Sequence, residues 1–149
     1  MKYVLLSSLM IAIATSLVAH AEEAKEDTQL IEGTWIITEL VVNGNKVNEE
    51  DFQKISVVNG ADGTWCLRVD GKEISRGTNV FAPSQKPKTV DFYPTDGEGK
   101  NNKYQGIYEL DENTRKVCFV EAGKNRPQEF TSDNGSDRIL IVFKRMKQE

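Results

Sequence analysis

The chain has 149 residues, 38% of them hydrophobic and 28% charged, with a formal net charge of −4. This composition fits one soluble domain and leaves too few apolar residues for a multi-span membrane protein. The acidic balance also excludes nucleic acid as a partner, because phosphate binding needs an excess of Lys and Arg on one face.

At the N-terminus, Lys2 precedes an apolar and small-residue run from Tyr3 to Ala19, and Ala19-His20-Ala21 stands just before the acidic stretch that begins at Glu22. This pattern reads as a secretory signal peptide over residues 1–21 with an Ala-x-Ala cleavage site. The apolar run is shorter than a bilayer-spanning helix requires, so the product is expected to be secreted or periplasmic and not membrane-spanning. No Cys lies beside the cleavage site to carry a lipid anchor. Cleavage near Ala21 also removes His20, the only histidine. Ser-His and Cys-His catalytic groups are then excluded, as are zinc sites that need imidazole, since two cysteines do not complete a tetrahedral shell. No metal or other cofactor is implied.

Residues 22–29 are charged and carry no apolar period, which predicts a disordered leader. From there, short β-rich runs alternate with turn clusters. The first, Thr34 to Val42, ends at Asn43-Gly44-Asn45. A brief helical turn is predicted next, with Asn48 as its cap and Glu49, Glu50 and Asp51 at the positive end of its dipole. Further strands are predicted over Lys54–Val58, Thr64–Val69, Lys72–Phe81, Thr89–Tyr93, Tyr104–Leu110, Lys116–Val120 and Arg138–Phe143, which makes eight. Asp70-Gly71 suits a two-residue type I′ hairpin. No helix-period stretch is long enough for βαβ crossovers, so the sheet is expected to be all antiparallel. The last strand is apolar on both faces, which points to a small closed up-and-down barrel over residues 30–145, with a β-sandwich as the alternative and 146–149 as a tail.

Candidate binding residues follow from strand parity. Glu39 shares a face with Trp35, Ile37 and Val41, and Arg76 with Ile74, Thr78 and Val80, so parity makes both charges candidates for the barrel interior. For Arg76 the favoured reading is a bulge at Gly77 that flips the parity and leaves it in solvent. Tyr104 and Tyr108 share a face and could line a cavity mouth with Trp65 and Phe92, or simply belong to the core. Cys66 and Cys118 are even in number in an oxidising compartment, which invites a disulfide. They also lie on strands that face each other across an eight-stranded barrel and alternate away from the apolar face, which favours two separate thiols. Arg126-Pro127 reads as a turn with a surface ion pair.

The opening Gly33-Thr34-Trp35 resembles the Gly-x-Trp motif that plugs one end of lipocalin and calycin barrels. In those barrels an Arg from the last strand packs over the Trp, and the resemblance assigns that structural role to Arg145. A longer set of motifs is similar to a family of uncharacterised secreted bacterial domains, abundant in planctomycetes and described as lipocalin-like. The set comprises Glu32-Gly33-Thr34-Trp35, Val42-Asn43-Gly44, Lys86-Pro87-Lys88-Thr89-Val90-Asp91, Gly106-Ile107-Tyr108-Glu109-Leu110-Asp111, Cys118, Arg126-Pro127 with Glu129-Phe130, and Val142-Phe143-Lys144-Arg145. The resemblance implies a lipocalin-like fold and carries no activity, catalytic residue or ligand.

The function expected from these observations is a non-catalytic binding module for a small apolar ligand or for a secreted or cell-envelope protein. Two alternatives are an inhibitor-like interaction domain with a filled core and a glycan hydrolase working with two carboxylates alone. The hydrolase would need a carboxylate pair about 5 to 9.5 Å apart across one cleft.

Overall fold

A computed structural model describes residues 2–147, with side chains described from residue 16 onward. The apolar part of the expected signal peptide up to residue 15 and the last two residues of the tail therefore fall outside the described side chains. Nine antiparallel strands follow a long N-terminal helix: β1 (Gly33–Val42), β2 (Asn45–Lys46), β3 (Ile55–Asn59), β4 (Thr64–Val69), β5 (Lys72–Ala82), β6 (Thr89–Asp96), β7 (Tyr104–Leu110), β8 (Thr114–Val120) and β9 (Arg138–Arg145). Apart from β2, each strand pairs with the next in sequence, and β9 pairs back onto β1. The result is a closed eight-stranded up-and-down barrel, with β2 as a short hairpin arm on β1. Closure leaves no strand of the eight with a free edge.

Local chemistry explains the turns. Asp70 and Gly71 adopt φ values of 50° and 75° between the paired residues Val69 and Lys72, the geometry a type I′ hairpin requires. Helix α2 (Glu49–Phe52) is a single turn whose N-cap, Asn48, is extended but makes no side-chain capping bond. The helix is held through Phe52, which is buried in the core.

The acidic segment 22–29, expected to be disordered, is instead the end of helix α1 (Lys2–Leu30). Its anchor is one residue that an apolar period cannot register. The Asp27 carboxylate is buried and accepts hydrogen bonds from the Tyr108 hydroxyl at 2.5 Å and from Lys88 Nζ at 3.0 Å. Burial and the Asp27 carboxylate together push the Tyr108 hydroxyl pKa far up, so it stays a donor.

The core gathers at the end of the barrel where α1 enters. Ile31, Trp35 and Tyr108 are almost wholly buried there, and Phe81 meets the Tyr108 ring edge-on with centroids 5.1 Å apart. Trp35 Nε1 donates to the Ile31 carbonyl at 2.7 Å, and the Arg145 guanidinium lies 4.3 Å from the Trp35 ring centroid. Gly33 holds φ of +120° beside them, and a Cβ there would meet Arg145 Nη1 at 3.0 Å.

The loop over residues 121–137 covers part of the outer wall. Arg126 donates to the Val90 and Gly106 carbonyls and pairs with Asp91 Oδ1 at 2.6 Å, so it fastens this loop to β6 and β7 instead of lying on the surface. Ile107, Cys118 and Val120, on the outward parity of β7 and β8, are buried at this wall. The Cys118 Sγ–H donates to the Thr131 carbonyl.

Candidate functional site

Strand register decides which side chains reach the barrel interior. On β5 the inward set is Ser75, Gly77, Asn79 and Phe81, all buried, while Ile74, Arg76, Thr78 and Val80 are exposed. Arg76 therefore points outward and forms an ion pair with Glu73. This is the outcome expected from a bulge at Gly77: the β5–β6 register shifts between Arg76 and Gly77, and the face carrying Arg76 looks outward while Ser75 and Asn79 face in. Gly77 lies under the Trp65 ring, where a Cβ would come within 2.6 Å of it. Glu39 is misplaced by parity. A bulge at Thr38 shifts the β1–β9 register, after which Leu40 pairs with Ile141 on the core side and Glu39 with Val142 on the outside.

The interior is hollow. A cavity of about 550 Å³ runs along the barrel. Its lining extends from Ile74, Pro94, Glu98 and Tyr104 at the end carrying the β6–β7 loop to Arg115 and Phe143, near the core that closes the opposite end. The wall between is mostly apolar, and Phe92 and Phe119 meet edge-on across it with ring centroids 5.6 Å apart. Of the six residues expected to bind ligand, Trp65, Phe92 and Tyr104 line this cavity. Tyr108 belongs to the core under α1, and Glu39 and Arg76 lie outside the barrel.

The cavity also holds polar groups that strand parity did not single out. Arg115 is 4% exposed, with its guanidinium 5.2 Å from the Phe143 ring centroid, and its Nε has no hydrogen-bond partner. Burial pushes its pKa down to about 10, which still leaves it charged at neutral pH. Asn59 and Asn79 are buried side by side. The Asn79 amide donates to Asn59 Oδ1 at 3.4 Å, while Asn59 Nδ2 and Asn79 Oδ1 stay unpartnered. Among the described residues, these three are the buried side-chain polar atoms without partners, and all three belong to residues lining the one cavity.

Each was hidden for a local reason. Asn59 lies one residue beyond the predicted strand Lys54–Val58 and precedes a glycine, as turn residues do. Asn79 sits on β5, whose polar set faces in. Arg115 lies one residue before the predicted start of its strand at Lys116, although it shares parity with the inward-facing Val117 and Phe119.

No family model, curated protein or solved structure matches this chain.

Cys66 and Cys118 are not bonded to each other. They point outward from β4 and β8: Cys66 Sγ lies 3.0 Å from Glu73 Oε2, while Cys118 is held by the Thr131 carbonyl. Burial raises both thiols above their usual pKa, with Glu73 adding to the effect at Cys66.

Proposed function

We propose that this chain is a secreted or periplasmic, lipocalin-like carrier that holds one small, largely apolar molecule inside its barrel. The observation that carries the reading is the cavity of about 550 Å³, a size suited to a single small ligand and walled mainly by apolar side chains. A filled core would have favoured an interaction domain instead. Glu98 is the one carboxylate among the lining residues, whereas the hydrolase alternative needs a facing pair.

Export is compatible with this architecture. The side-chain hydrogen bonds that join α1 to the barrel, among the described residues, start at Asp27, so cleavage near Ala21 would leave them in place. No described helix is long and apolar enough to cross a membrane.

Native mass spectrometry of the protein purified from its own host's secreted fraction tests the proposal, with the same sample compared after organic extraction. A small molecule released in fixed ratio is the expected result. A bare polypeptide mass, together with no uptake of any apolar probe, would overturn carriage in favour of a protein-binding role.

A further inference from the structure

The strongest unexplained feature is a buried cation with nothing to neutralise it. Arg115 is 4% exposed, its Nε is unpartnered, and among the described residues its guanidinium takes part in no salt bridge and donates no hydrogen bond. Removing one partner of a buried charge is strongly destabilising, so a cation kept in this state indicates that its partner arrives from outside the chain. Arg115 lines the cavity at the end away from the β6–β7 loop, with its guanidinium carbon 5.2 Å from the Phe143 ring centroid. An aromatic ring accepts no N–H···O bond, so the planar fork of N–H donors remains to match the two oxygens of a carboxylate.

We propose that Arg115 is the anchor for the carboxylate of an amphipathic monocarboxylic acid, bound head-inward with its apolar tail running along Val117, Phe119 and Phe92 toward Tyr104. This deepens the carrier reading above and rests on it. Charge balance selects a monoanion. Arg115 is the only cationic side chain among the lining residues, and Glu98, the only anionic one, is exposed to solvent at the mouth, so inside the barrel a monoanion balances the guanidinium whereas a phosphate dianion would leave an uncompensated negative charge. The unpartnered Asn59 Nδ2 and Asn79 Oδ1 supply one donor and one acceptor on the same cavity wall. A hydroxyl on the ligand would satisfy both.

The test uses residues 22–149, with dodecanoate and dodecanol as probes that share a chain and differ in charge. Binding is read by calorimetry on the wild type and on Arg115→Met, a side chain of similar reach without the charge. The wild type is expected to bind dodecanoate about tenfold or more tightly than dodecanol. In R115M that preference should vanish, through loss of dodecanoate affinity relative to dodecanol. Without ligand, R115M is expected to melt at the same temperature as the wild type or higher, because it removes an uncompensated charge. Equal binding of acid and alcohol by the wild type, or a preference that survives in R115M, would overturn the anchor and leave carriage standing. Failure of the wild type to bind either probe would count against carriage itself. An R115M protein that melts far lower, or does not fold, would make the guanidinium a structural group and overturn the anchor.

Discussion

The Arg145 guanidinium rests on the Trp35 ring and donates to three carbonyls, those of Leu30, Glu32 and Glu112, so one side chain ties the end of α1, the start of β1 and the β7–β8 turn to the last strand. Stacking on indole and hydrogen bonds from a charged donor are each worth on the order of 1 to 2 kcal/mol. Arg145→Ala is therefore expected to cost about 3 kcal/mol in denaturant unfolding, and Arg145→Lys to recover only part, since an ammonium on a flexible stem cannot hold the same fork. Both residues were legible in the sequence because they sit in short motifs near the chain ends, Gly33-Thr34-Trp35 and Lys144-Arg145. Gly77 behaves differently. Any Cβ there meets both the Trp65 ring and the Tyr93 carbonyl, so Gly77→Ala is expected to destabilise the barrel and disturb the Trp65 emission spectrum.

At the scale of elements, the end of α1 and the 121–137 loop are both fixed to the barrel by charge. Asp27 is the pin for α1, and Asp27→Ala is expected to speed amide exchange across residues 22–30 while leaving the strands protected, a pattern hydrogen-exchange mass spectrometry resolves. The outer loop is pinned through Asp91. Burial alone would raise that carboxyl, but hydrogen bonds from Lys103 and Arg126 outweigh it and hold the pKa below the usual value of 3.8. A depressed folded-state pKa stabilises the fold above pH 3.8, and the contribution is lost as pH falls from there through the lower folded value. Asp91→Asn should therefore be less stable than the wild type at pH 7 and lose less stability on going from about pH 4 to about pH 2, as read by urea titrations at each pH. Neither pin was legible in sequence. An isolated Asp in a charged segment looks like solvent-facing chain until its partners, Lys88 and Tyr108, are brought to it from far along the sequence.

For the molecule as a whole, closure of the sheet sets what the cysteines can do. They project outward from well-separated strands, so the intact mass is expected to be the same with and without reductant. Alkylation in native conditions should label the half-buried Cys66 before the buried Cys118, which should react only on unfolding. The sequence by itself determined the all-antiparallel order, the tight Asp70-Gly71 hairpin and the absence of histidine after residue 20. Strand alternation and turn chemistry are local properties, written within a few residues of where they act. Only the tertiary structure decided which face of each strand looks inward. A bulge at Thr38 reverses Glu39, and β5 turns Ser75 and Asn79 rather than Val80 toward the cavity, because facing is set by register with both neighbours around a closed ring. The unpartnered guanidinium of Arg115 belongs to the same class of information: a missing partner becomes visible only once every group that could have reached it has been placed elsewhere.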